Sequence, residues 1–232
     1  MVGGMVRKKI SSRGVVRRKT LPARKPRVAP KRGYHHGDLK EALCRAALEL
    51  VAEDGPRGLK LAEVCRRAGV SVAAPYRHFA DKDALLAMVA ERGFAQFAVS
   101  LERAAAKRKL GSLVRLEALG LAYVAFARAQ PEMFRVMFGA NSPKTECGER
   151  QAVASRAFGV FVHAIVECQK AKTLPRGEPE KIALAMWAHV HGLAALLLDA
   201  GVERMDGCDF DAKWIPSFVH TFVRGLTAAN RG

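Results

Sequence analysis

The 232-residue chain has no Asp or Glu in its first 36 positions, although 12 Lys and Arg fall there. Of the 39 Lys and Arg in the whole chain, that leaves 27 against 22 Asp and Glu, so the body is only mildly basic. An arm of one charge sign points to a polyanionic partner or to a solvated tail, and charge by itself does not choose between them. Cysteine is scarce and odd in number: Cys44, Cys65, Cys147, Cys168 and Cys208, with no C-x-x-C pair. That excludes a disulfide framework or a zinc-finger spacing and favours a reduced, cytoplasmic setting. No uninterrupted apolar run reaches bilayer length; Val190–Leu198, broken by His191 and Gly192, is short and reads as core. The basic start lacks the apolar stretch of a secretory signal. Strand-like alternation and internal repeats are missing too.

What is present is helical periodicity. Residues 1–33, with Pro22, Pro26 and Pro30 among scattered cations, predict a disordered arm. From Gly37, Leu39, Leu43, Ala46, Leu50 and Val51 recur at helical spacing, and Asp38 suits the start of that helix. Gly55-Pro56-Arg57-Gly58 breaks it. A short helix over Leu61–Arg67 follows, with Gly69 as its left-handed terminator. Ser71 is an N-cap candidate for the next helix and Asp81 for a long one starting near Lys82. Further helices are expected over Ser112–Gln130, Glu132–Phe138 behind Pro131, Glu149–Ala171, Pro179–Ala200 and Asp211–Ala229. The fold class is therefore all-α: an N-terminal three-helix unit over 34–84 and a larger helical bundle over 85–232.

Two short helices around a tight turn at Gly69 make Leu61–Phe79 a helix-turn-helix. Cys65 and Ala68 are small enough for a close crossing; Val70 and Phe79 are apolar anchors. Facing outward are Ser71, Val72, Ala73, Ala74, Tyr76, Arg77 and His78. Val72, Ala73 and Ala74 suit apolar contact with thymine methyls. Tyr76 and His78 can donate to phosphates, Lys82 sits where a helix dipole favours one, and Lys40 and Lys60 reach flanking backbone. The competing reading makes Tyr76 and Phe79 core aromatics and Arg77 a solvated charge. For Phe79 the core reading is preferred.

The run from Gly37 to Leu86 resembles the DNA-binding domain of the TetR/AcrR family of bacterial regulators, whose motif pattern is matched by Ala68–Leu86, AGVSVAAPYRHFADKDALL. Trp187-Ala-His-Val-His-Gly192 resembles a Trp-x-x-x-His-Gly signature in the C-terminal domain of one branch of that family. The resemblance implies a homodimer on a palindromic operator, usually a repressor, released when a small apolar ligand enters the C-terminal domain. Carried over by position, it makes Tyr76, His78 and Lys82 phosphate contacts and turns Val72, Ala73 and Ala74 toward bases. It also puts the dimer surface on the last two long helices, with Leu184, Trp187, Leu196 and Leu197 on one and Trp214, Phe218 and Phe222 on the other. Two positions depart from the pattern. Lys60 stands where Thr usually caps the second helix, and Pro75 stands where an apolar residue is common, which distorts the first turn of the recognition helix.

For an effector pocket the candidates are Phe126, Met133, Phe134, Met137, Phe138, Phe158, Phe161, His163, Trp187 and His191; plain core is the larger expectation for the Met and aromatic members. His163 is expected as a core histidine, and His191 with Gly192 as a packing pair. His189 and His191, two apart, point to different faces and cannot chelate together. No nucleophile elbow, P-loop, H-E-x-x-H or dinucleotide fingerprint appears, so neither an enzyme nor a cofactor is expected. The rival readings are a nonspecific basic DNA-binding protein and, behind it, a metal sensor or an enzyme.

Overall fold

In the computed structural model, residues 36–73, 75, 79–106, 111–139, 148–198 and 212–228 are described. Among them every regular element is helical: α1 (His36–Gly58), α2 (Leu61–Arg67), α3 (Lys82–Ala105), α4 (Ser112–Ala129), α5 (Pro131–Phe138), α6 (Gly148–Lys170), α7 (Pro179–Leu198) and α8 (Ile215–Ala228), the last entered through a 3-10 turn at Ala212–Trp214. The expected arm lies outside the described residues, as do the Asp38 side chain and most of the Gly139–Gly148 connection.

Local chemistry sets the boundaries. Gly55 (φ 71, ψ 171) interrupts α1 in a conformation essentially confined to glycine, and Pro56 opens one last turn behind it. Lys60 offers α2 no side-chain cap, as its chemistry predicts. At the other end Gly69 takes φ 68, and the Val70 amide donates to the Cys65 carbonyl at 3.0 Å, closing the helix. The Asp81 carboxylate accepts from the Ala84 amide at 2.8 Å and caps α3.

Two apolar cores result. The smaller joins Leu43, Ala47 and Leu50 of α1, Val64 and Cys65 of α2, and Phe79 to Leu85, Leu86 and Val89 of α3, with Val136 of α5. The larger joins Phe94, Phe97 and Leu101 of α3 to α4, α6, α7 and α8. One helix, α3, therefore serves both. At the changeover, Gly93 has no side chain, and Met133 and Met137 of α5 fill the space; a Cβ there would stand 2.5 Å from the Met137 sulfur.

By length and composition alone, α3 and α7 are long and apolar enough to cross a membrane. Half of the apolar stretch in α3 is buried inside the protein, against 28% for α7, so α7 keeps the larger apolar surface.

Candidate nucleic-acid interface and effector core

The helix-turn-helix stands on the small core. Phe79 is buried there and Val70 packs against it, as expected. Arg67 reaches back from α2 to α1 and grips Glu53 with two parallel bonds of 2.6 and 2.9 Å. That bond holds the Glu53 carboxyl below its usual range. Beyond Gly69, Ser71, Val72 and Ala73 are exposed, and Val72 is 52% exposed despite being apolar.

The second helix of the motif begins irregularly, as Pro75 leads one to expect. Val72 and Ala73 form a turn, and Pro75 sits buried in a 3-10 conformation; its carbonyl accepts from the Phe79 amide at 2.8 Å. A proline has no amide to close an α-helical first turn, which accounts for the irregular start. Ala74, Tyr76, Arg77 and His78 lie outside the described residues. Lys40 and Lys60 are exposed. Lys82 is half-buried, and its ammonium donates to the Arg57 carbonyl at 3.3 Å, so it sits in the joint between α1 and α3.

The aromatic candidates of the C-terminal half converge on Tyr123 of α4, which the sequence pattern did not single out. Its ring is fully buried. It meets Phe97 edge-on at 4.9 Å, Trp187 at 5.1 Å and Phe161 at 6.3 Å. Its hydroxyl lies 2.8 Å from Nδ1 of His191. Phe126, Met133, Phe134, Met137 and Phe161 are buried; Phe138, Phe158, Trp187 and His191 are half-buried at the margins. Trp187 and His191 share one face of α7, and both touch Tyr123 and Phe138. Trp187 thus points inward, away from Leu184 and Leu196, which are 59% and 51% exposed.

Burial drives the Tyr123 phenol far above its ordinary value and pulls His191 below 6.5, so both are neutral at pH 7. His189 turns the other way, to α8, where it stacks on Phe222 at 4.3 Å with its Nε2 buried and unpartnered.

Two expectations are corrected. His163 is exposed; it follows the turn of α6 out of the core and lines two surface clefts of about 840 and 590 Å³. Of the pocket candidates, Phe158 joins it in the smaller one. Gly192 has open space where a Cβ would stand, so it is no packing glycine within this chain; Gly120, which meets Met186, Val190 and Val219, fills that part instead. Among the described residues no three His, Cys, Asp or Glu side chains gather as metal ligands would.

Residues 43–89 match the model of bacterial regulatory proteins of the tetR family, and residues 116–214 that of the tetracyclin repressor-like C-terminal domain. The chain belongs to the TetR family. This TetR-family chain is 26% identical over 189 residues to the nucleoid occlusion factor SlmA of Marinobacter nauticus, covering 75% of the chain and 91% of that protein. A protein of unknown function from Rhodococcus sp. RHA1 has a solved structure 31% identical to it, with a TM-score of 0.71 and coverage of 86% and 98%. FadR from Bacillus subtilis, solved in complex with stearoyl-CoA, shares the fold at 12% identity and a TM-score of 0.64, over 81% and 97% of the two chains. The chain is thus a TetR-family DNA-binding transcriptional regulator with a helix-turn-helix and a ligand-binding C-terminal domain. The family is one of bacterial regulatory proteins.

Proposed function

We propose that this regulator is a cytoplasmic repressor that binds a palindromic operator as a homodimer and leaves it when a small apolar effector enters the C-terminal bundle. The observation that carries the reading is the double membership of α3, whose N-terminal turns lie in the helix-turn-helix core and whose remaining length lies in the large core. A ligand that repacks the second core acts on the helix that seats the first. In function the chain divides near residue 84 into a DNA-binding unit from residue 34 and an effector unit, while α3 crosses that division as a single rod. The aromatic cluster around Tyr123 supplies the effector core, with Phe126, Phe134, Phe138, Phe161, Trp187 and His191 as its members. The same fold in FadR accommodates stearoyl-CoA, a long apolar chain on a polar head. Outward Leu184 and Leu196 of α7 and Trp214 of the turn that enters α8, 59%, 51% and 41% exposed, supply the apolar surface that a second copy would cover.

On DNA, Val72, Ala73 and Ala74 face base edges. Tyr76, His78 and Lys82 take phosphates, with Ser71, Arg77, Lys40 and Lys60 alongside. Duplexes selected from a random pool at fixed salt should converge on a palindrome bound about a thousandfold more tightly than scrambled DNA. Tyr76→Ala with His78→Ala should abolish that binding and leave the dimer intact. Equal affinity for all duplexes would instead identify a nonspecific DNA-coating protein.

A further inference from the structure

The larger cleft opens between the C-terminal end of α3, the first turn of α4 and the outer side of α6. Its volume of about 840 Å³ is that of a small-molecule site. Its lining is mixed. Ala105, Val160 and Ala164 give an apolar floor, and four charged or titratable groups of α3 and α6 surround it together with Arg115 of α4.

The charges are not equivalent. Arg156 and Glu102 hold each other through two bonds of 2.7 and 2.6 Å, so neither is available. Glu167 is bonded by Lys170 at 3.0 Å; Lys170 above all, with His163 and Arg115 contributing, keeps its carboxyl below the usual range. Arg115 and His163 remain: among the described residues neither side chain is in a hydrogen bond or a close ion pair, and their interaction with Glu167 is through space. Arg115 is half-buried, and its guanidinium, with five donors and no acceptor, is well suited to a planar anion.

We propose that this cleft is a ligand site separate from the aromatic core, and that it takes a small amphipathic anion with an acidic head at Arg115 and His163 and an apolar stem along Ala105, Val160 and Ala164. A carboxylate or a phosphate monoester supplies the same head. The fixed carboxylates of Glu102 and Glu167 exclude a second acidic group at the rim, so the class is a singly headed anion. Binding at the end of α3 gives the ligand purchase on the helix that both cores share. That consequence rests on the regulator reading; occupancy of the cleft does not.

The test uses the full-length protein and sodium octanoate as probe, with octanol as its uncharged counterpart, in calorimetric titrations. Octanoate should bind saturably at one site per chain and octanol at least tenfold more weakly. Arg115→Gln should weaken octanoate by about tenfold, the worth of a charge-assisted hydrogen bond. Arg115→Lys should recover part of the loss. Gly159 lines the cleft, and a Cβ there would meet nothing within 4 Å, so Gly159→Phe starts from open space and projects its ring into the cleft, which should remove binding; an unchanged far-UV CD spectrum and melting temperature check that the helix is intact. No octanoate binding at millimolar concentration, equal binding of octanol, or indifference to both Arg115→Gln and Gly159→Phe would each overturn the site. Operator affinity is measured on the same samples without probe. Its absence would sink the regulator reading and leave the calorimetric result for the cleft untouched.

Discussion

Tyr123, His191 and His189 show how few polar atoms this bundle admits and how each is kept neutral. Between the Tyr123 hydroxyl and Nδ1 of His191, 2.8 Å apart, one proton serves both groups. Burial pushes both toward their uncharged forms. His189 is lowered by burial too, against an opposing pull from the Phe218 backbone, and its Nε2 has no partner. The consequence for stability has a definite sign. In the unfolded chain these imidazoles take up protons near pH 6.5; in the folded chain they resist until lower pH. Their contribution is therefore fully present above about pH 6.5 and is lost progressively as pH falls below it. Urea denaturation from about pH 8 to about pH 5 should show that decline, and the doubly substituted His189→Gln, His191→Gln protein should show a shallower one. Tyr123→Phe should instead cost about 1 kcal/mol across the whole range, since it removes a hydrogen bond rather than a titration. A double variant with an undiminished pH slope would mean that other groups carry the decline.

Helix ends were easier to read in the sequence than helix rotation. Asp81, Gly69, Pro131 and the Gly55-Pro56 pair act through their own backbone or a neighbour's amide, so four or five residues contain the whole cause. Which face of α6 is buried depends on α3, α4 and α7, and the apolar pattern around His163 carried no sign of its exposure. Nor does a helical glycine reveal its use. Gly120 and Gly159 both sit inside helices and look like the same weakness in the sequence. At Gly120 a Cβ would lie 2.7 Å from the Met186 methyl, 2.9 Å from Val219 and 3.2 Å from Val190, where three helices meet. At Gly159 it would touch nothing. Gly120→Val should therefore destabilise by about 1–3 kcal/mol through overpacking. Gly159→Ala should stabilise by about 0.5–1 kcal/mol, because only the backbone entropy of glycine is removed. Thermal melts of the two variants moving in the same direction would contradict the packing of α4 or α6. Pro75 lies between these cases: its own chemistry announced an irregular turn, but not that the ring would be buried.

The charge of the molecule is divided more sharply than its fold. Helices from residue 36 onward carry cations and anions in near balance, and several are tied to each other, as in Arg67–Glu53, Arg92–Glu41 and Arg156–Glu102. Pairs of this kind are exposed and contribute little attraction at a distance. The 12 unopposed cations of the first 36 residues have no such partners in sequence. On the proposed reading, one helix-turn-helix per half-site reads sequence through a few small side chains, and long-range attraction to the duplex falls to the arm, where the charge is concentrated. Each phosphate it neutralises releases counterions and steepens the dependence of log affinity on log salt by about 0.9. If a third of the arm's cations reach phosphates, deleting residues 2–33 should flatten that slope by about 3.6 per chain. Operator titrations at several salt concentrations, on full-length and shortened protein, measure it directly. The preference for operator over scrambled duplex should survive the deletion, since Val72–Ala74 remain. A slope unchanged by the deletion would mean that the arm never meets the phosphates, and that the affinity of the full-length chain comes from the helix-turn-helix and its flanking lysines alone.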